Sequence, residues 1–311
     1  MAVDLLHLLH LLPRPLAFVL GGGGARGAVQ LGMLEALADT DLRPDLVIGT
    51  SAGALNGAIL AASPDTAAQT LATVWSQIDG RDVFPGGLVL NALMATSTKR
   101  SYVFDPTPLS DLLAEHLPVS RIEDLAVPFV AMATDLDSGV AVELDSGDLR
   151  SALLASSAIP AAFPWVERDG RRLVDGGLVA NVPVRQAISR GAKSVLVLDC
   201  GSFGAPGRWS EGVLGVLVQA YAIASRQQIT ADLALAADHP IVYLPVPDSV
   251  PTTVFDFSSG DVLTSTAREA STRALAALAE RECGASVLPP GLYGHPPLSI
   301  LNPEVAALQR V

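Results

Sequence analysis

Ser51 stands in the frame Gly49-Thr50-Ser51-Ala52-Gly53. The apolar run Leu46-Val47-Ile48 precedes it, and small, helix-compatible residues from Ala54 to Ala62 follow. Strand, tight turn and helix form the setting of a nucleophile elbow, whose cramped backbone pushes the serine hydroxyl outward. Glycines on both flanks remove the side chains that would clash in such a turn. The dipole of the following helix points its positive end at the reacting oxygen. The chemistry this arrangement serves is attack by a serine on an acyl carbon.

A second group of residues supplies what such an attack needs. Gly21-Gly22-Gly23-Gly24-Ala25-Arg26-Gly27 lies between an apolar run, Leu16–Leu20, and a helical pattern, Ala28–Leu37. Glycines there let backbone N–H groups turn toward one point and hold an anion. In acyl transfer that anion is the oxyanion of the tetrahedral intermediate. Arg26 can reinforce the loop by bonding carbonyls, or place positive charge near the oxyanion or a lipid phosphate. Gly22-x-Gly24-x-x-Gly27 also meets the dinucleotide pattern, which asks for an acid at the end of the second strand. That strand ends in Ile48-Gly49-Thr50-Ser51, and Asp45 lies at its beginning, so a nucleotide cofactor is disfavoured. No Lys-Ser or Lys-Thr follows Gly27, which removes the Walker pattern.

The third group is Asp175-Gly176-Gly177, after the short run Arg172-Leu173-Val174. A carboxylate at a strand end is presented at the carboxyl edge of a sheet, where α/β proteins bind ligands. Ser51 ends another strand, so the two are expected to meet at that edge. An ordinary turn aspartate has the same local sequence. The order Ser51, Asp175, His239 also permits a Ser-Asp-His triad of the α/β-hydrolase type.

The elements that must position these groups alternate between strand and helix, which is the signature of α/β architecture with a parallel sheet. Strands are predicted at 16–20, 46–48, 129–134, 140–144, 172–174, 194–198 and, last, 241–244. Helices are predicted at 28–37, 64–78, 106–117, 149–155 and 264–280. The stretch 82–104 is irregular and reads as a cap or a surface connection. The apolar stretch 212–225 reads as a buried or lid-forming helix. We expect 82–104 and 203–225 to border an acyl site. The tail beyond Ser286 is rich in proline and is expected to pack loosely. The boundaries expected are an N-terminal extension at 1–14, one catalytic domain at 15–285 and a Pro-rich tail at 286–311.

Composition narrows the class. The chain has 311 residues, half of them hydrophobic, and a formal net charge of -12. An acidic chain gains nothing from counterion release, so nucleic acid is not an expected partner. The two cysteines, Cys200 and Cys283, and the five histidines, His7, His10, His116, His239 and His295, show no metal-ligand spacing. Leu5–Leu12 is apolar but short and follows Asp4, so no secretory signal is expected, and a cytoplasmic protein is. No apolar run approaches the ~20 residues of a membrane span.

Taken together, the three motifs resemble the patatin-like phospholipase family. That family's glycine loop, G-x-S-x-G elbow and D-G-G turn occur here in the same order. Ala133-Thr134-Asp135-Leu136, the segment Ala155–Pro164 and Val174–Pro183, which includes Asn181, extend the likeness to roughly residues 15–275. The resemblance implies a three-layer α/β/α fold with a mainly parallel central sheet. It also implies a serine acyl hydrolase of phospholipase A, lysophospholipase or esterase type, working through a Ser-Asp dyad. Ser51 is then the nucleophile and Asp175 the base. Gly22, Gly23 and Gly24 give the oxyanion N–H groups, supported by Ala52, Arg26 and Asn181. Expected partners are a lipid or ester substrate and transient contact with a membrane surface, with no cofactor and no metal, calcium included. The alternatives are the triad enzyme and a non-catalytic lipid-binding protein. Gln30 stands where many relatives have histidine.

Overall fold

Alternate residues of each central strand are buried in opposite cores. In β1 (Leu16–Leu20), Leu16, Phe18 and Leu20 belong to one apolar cluster, and Ala17 and Val19 to another. β7 (Ser194–Leu198) divides the same way, with Leu196 and Leu198 against Val195 and Val197. A strand buried on both faces reads as a continuous apolar run, because its period of two has no wet side to show. The computed structural model describes residues 11–38, 40, 42–83, 101–201, 213–247, 252, 254–282, 285–294, 296 and 303–310.

Among the described residues, the sheet has ten strands. Besides β1 and β7 they are β2 (Leu46–Thr50), β3 (Phe129–Asp135), β4 (Ala141–Leu144), β5 (Val166–Arg168), β6 (Arg171–Asp175), β8 (Pro240–Tyr243), β9 (Gly291–Gly294) and β10 (Gln309–Arg310). Seven lie in the order β10-β9-β8-β7-β1-β2-β3, every neighbour parallel. β4 and β6 run antiparallel to β3, and β5 antiparallel to β6. Helices Ala28–Ala38, Ala52–Ala62, Ala67–Gln77, Leu149–Ser156 and Gly260–Arg281 cover one face. Helices Val184–Ser189 and Val213–Leu233 contribute to the cluster on the other. This is a three-layer α/β/α fold with a mainly parallel sheet. No described helix is long and apolar enough to cross a membrane.

The register around β3 positions everything that follows. β2 pairs with its first half, Thr50 opposite Met132. β6 pairs with its second half, Asp175 opposite Ala133. β4 pairs with Ala131 through Thr134 and so occupies the other side of β3 throughout. β2 and β6 therefore lie end to end along one side of β3, running toward each other. Ser51 and Asp175 meet at the carboxyl ends of their strands, but β6 opposes β2 and brings Asp175 in from the opposite direction.

The structure differs from the sequence reading at the C-terminal end. Ile241–Leu244 is not the last strand: β9 extends the sheet beyond β8, and β10 beyond β9. The Pro-rich stretch thus supplies sheet edge, with Tyr293 fully buried. Pro289 and Pro290 precede β9, where a missing N–H costs the ladder nothing. The hairpin strand β5 and the helix Val184–Ser189 also escaped the sequence reading. Of the segments expected to border the site, 84–100 and 203–212 lie outside the described residues, as do His7, His10, Cys283 and His295.

Candidate active site

The elbow has the backbone expected of it. Ser51 caps the helix Ala52–Ala62 with φ 54° and ψ −126°, a left-handed conformation for a residue with a side chain. Such a conformation costs about 1–3 kcal/mol and persists only where the surroundings enforce it. They do so here by close packing. A Cβ on Gly49 would lie 2.3 Å from the Gly53 carbonyl oxygen, and one on Gly53 only 2.2 Å from that of Leu20. The Ser51 N–H donates to Ser156 Oγ at 2.9 Å. Ala54 and Leu55 donate to the Ser51 carbonyl, whereas the Ala52 N–H, at the first position of the helix, has no intrahelical acceptor.

Asp175 is 1% exposed. Its Oδ1 accepts the Gly177 N–H at 2.8 Å and the Tyr221 hydroxyl at 3.1 Å. Its own N–H donates to the Ala158 carbonyl at 2.9 Å, and its carbonyl accepts Thr134 Oγ1–H at 2.9 Å. Burial pushes the carboxyl up to about 6, against the downward pull of the Ser51 hydroxyl, the Gly177 N–H and the Tyr221 hydroxyl. Ser51 is thus close enough to act on the carboxyl. Even so, Oδ2 has no partner of full hydrogen-bond geometry among the described residues. The Tyr221 hydroxyl is itself pushed well above its usual range by burial and by the Asp175 charge, so it stays a donor.

The glycine loop lies against the serine: a Cβ on Gly22 would be 3.2 Å from Ser51 Cβ. Gly21 N–H donates to Leu198 O at 3.0 Å, and Gly22 N–H to Asn181 O at 3.2 Å. Gly22 therefore already spends the N–H that the sequence reading offered to an oxyanion. Among the described residues, no acceptor engages the N–H of Gly23 or Gly24. Gly24 has φ 55°, and a Cβ there would lie 2.4 Å from Val254 O. Arg26 is buried and bonds carbonyls, Nε to Cys200 O at 2.8 Å and Nη2 to Pro247 O at 3.4 Å. Of its two expected roles the structure supports loop bracing.

Behind the loop stands a buried amide relay. Gln30 Nε2 donates to Gly21 O at 2.8 Å and to Leu198 O at 2.9 Å. Asn56 Nδ2 donates to Gln30 Oε1 at 2.8 Å and to Gly27 O at 3.0 Å. Trp75 Nε1 donates to Asn56 Oδ1 at 3.1 Å. Gln30 thus ties the ends of β1 and β7 to the elbow helix, a task a glutamine amide performs with both its donor and its acceptor. The Asn181 side chain sits between Gly22 and Gly177, 1% exposed, with neither amide atom partnered among the described residues.

A cleft of about 790 Å³, counting its space open to solvent, starts at Gly24, Ser51 and Ala52. Its walls are almost wholly apolar and come from the elbow helix, the Ala67–Gln77 helix, the Thr107–His116 helix and Ile159–Phe163. Val83 borders it, which places one residue of the 82–104 stretch at the site. No described residue of 203–225 lines it, and Tyr221 touches Asp175 instead. His116 is on the wall, a position the sequence reading gave no role. His239 precedes β8 at the amino edge of the sheet, while Ser51 follows β2 at the carboxyl edge, three strands away. The structure does not bring His239 to Ser51.

The sequence reading missed Ser156, Ala158 and Tyr221. The first two lie in the segment Ala155–Pro164, noticed as a likeness without a role. Nothing in the local sequence marked Tyr221.

The family profile described as patatin-like phospholipase matches residues 18–188. Patatin-like phospholipase domain-containing protein 7 of Mus musculus is 33% identical over 193 residues, 60% of this chain and 14% of that protein. Lysophospholipase NTE1 of Mycosarcoma maydis is 29% identical over 196 residues, 60% of this chain and 10% of that protein. The chain therefore spans a small part of the length of the curated relatives it matches. Among solved structures, VipD from Legionella pneumophila superposes with a TM-score of 0.46 at 14% identity, covering 86% of this chain and 67% of that one.

Proposed function

Because this chain belongs to the patatin-like phospholipase family, we propose that it hydrolyses carboxylic ester bonds of lipids, with Ser51 as nucleophile and Asp175 as general base. The observation that carries this reading is the meeting of Ser51 with a buried carboxyl whose pKa is raised to about 6. An aspartate at its ordinary value is a weak base for a serine hydroxyl. One raised by burial is stronger and still ionised at neutral pH.

Ser51 Oγ attacks the ester carbonyl carbon as Asp175 Oδ2 takes the hydroxyl proton. The carbonyl oxygen becomes an oxyanion, and among the described residues the Gly23, Gly24 and Ala52 N–H groups are still uncommitted donors for it. Gly22 acts with Arg26, Gln30 and Asn181 in shaping the loop. Collapse of the intermediate breaks the bond to the alcohol, which leaves with the proton from Asp175. Water then attacks the acyl-serine, Asp175 takes its proton, and Ser51 recovers that proton as the acid departs. Throughout, the Gly177 N–H and Tyr221 hydroxyl hold Oδ1, which leaves Oδ2 uncommitted among the described residues for the proton.

Hydrolysis of a medium-chain p-nitrophenyl ester by wild type, Ser51→Ala and Asp175→Asn tests the proposal. Loss of several orders of magnitude in both variants supports the dyad. Unchanged turnover in Ser51→Ala sinks it, and fatty-acid binding without turnover in wild type favours the lipid-binding alternative.

A further inference from the structure

The elbow helix measures the apolar cleft. Ala52, Leu55 and Ile59 line it in order from Ser51, whereas Ala62 and Ser63, next on that face, do not. With a rise of ~1.5 Å per residue, Ile59 lies about 12 Å along the axis from Ser51. The facing wall has the same extent, for its lining residues run from Leu109 to Leu117. An extended hydrocarbon chain advances about 1.3 Å per carbon, given C–C bonds of ~1.5 Å and angles near 111°. The cleft thus accommodates about nine or ten carbons beyond the reacting carbonyl.

We propose that this cleft is a length gauge for a single acyl chain, that it selects medium-chain acyl groups, and that Ile59 is its floor. The proposal rests on the hydrolase reading for its kinetic test. Ile59 qualifies because it is the last lining residue on the helix that begins at the nucleophile, and it is itself buried. A chain that ends short of Ile59 leaves apolar surface unfilled. A longer one must bend or leave its end in water, and either loses transition-state binding.

The test has two arms. In the first, kcat/KM is measured for p-nitrophenyl esters from butyrate to palmitate with wild type, Ile59→Ala and Ile59→Phe. Wild type is expected to peak near decanoate, about tenfold above both ends of the series. Ile59→Ala is expected to move the peak toward longer chains, and Ile59→Phe toward shorter ones. A wild-type peak at palmitate, a flat profile, or a peak that neither variant moves overturns the gauge. In the second arm, Ser51→Ala is titrated calorimetrically with octanoate, decanoate and palmitate. Tightest binding at decanoate supports the gauge even if wild type hydrolyses nothing, which would sink the hydrolase reading alone. Tightest binding at palmitate, or no saturable binding, counts against the gauge.

Discussion

Thr50 and Asp175 are paired to consecutive residues of one strand, Met132 and Ala133, from the same side. β2 arrives from one direction and β6 from the other, and the chain leaves the sheet at Ser51 where Asp175 ends the opposing strand. A nucleophile and its base are thereby set side by side by backbone pairing, before any side-chain contact is made.

The first consequence concerns turnover. Ser51→Ala and Asp175→Asn should each lower kcat/KM on a p-nitrophenyl ester by at least ~10³-fold, and the double variant little further, since parts of one catalytic unit are non-additive. His239→Ala should stay within about twofold, because His239 lies on the opposite edge of the sheet. Circular dichroism of each variant separates loss of chemistry from loss of fold.

Activity should depend on pH through Asp175. The base works ionised, so kcat/KM should rise with pH through about 6. Tyr221 donates to the ionised carboxyl, and that bond lowers its pKa. Tyr221→Phe should therefore move the acid limb of the profile to higher pH. An acid limb left in place by Tyr221→Phe would count against that role.

Stability should run against activity at the same residue. The folded carboxyl is held above its ordinary 3.8, at about 6, so folding favours the protonated form. That contribution is complete below about pH 3.8 and is lost as the pH rises through about 6. The difference corresponds to ~3 kcal/mol. Asp175→Asn, which cannot ionise, should melt ~5 °C above wild type near pH 8. The gap should close as the pH approaches about 4. Equal melting temperatures across that range would show that the buried charge is not costly.

Gln30 offers a test of the loop's bracing. Gln30→Leu keeps volume but removes one hydrogen bond each from Gly21 O, Leu198 O and Asn56 Nδ2, which retain the Cys200 thiol, the Gly21 N–H and Gly27 O. A lost intramolecular hydrogen bond costs about 0.5–1.5 kcal/mol. Chemical denaturation should show a loss in that range or above it, with kcat falling more than KM rises.

Gly53→Ala should be severely damaging. Its Cβ would meet the Leu20 carbonyl at 2.2 Å and that of Gly21 at 2.5 Å, and neither backbone atom can move alone. Insoluble or unfolded protein is the expected result, against a soluble protein for Ala54→Gly on the neighbouring position.

Much of this site was legible in the chain because glycine is legible. Gly49, Gly53 and Gly24 mark places where backbone meets backbone, and such places accept no other residue. The central strands were legible because burial on both faces leaves an unbroken apolar run. Other features depend on partners the local sequence does not name. The direction of β6 depends on its pairing with β3, so the opposed approach of Asp175 was not legible. Tyr221 sits in an apolar helix where any residue of one face could have met the carboxyl. The use of the Gly22 N–H by Asn181 O depends on how two distant turns pack. β9 was hidden by the prolines before it, since a Pro-rich stretch looks like a tail until an edge strand is found to begin there.

The end-to-end placement of β2 and β6 bears on how the protein gains activity as it folds. Helices close their contacts locally and early, but β3 must recruit one strand from upstream and another from downstream before nucleophile and base are neighbours. Pairings of that sequence separation form slowly. After dilution from denaturant, recovery of ester turnover should lag recovery of helical ellipticity, and the interval between them would time the closing of a single seam.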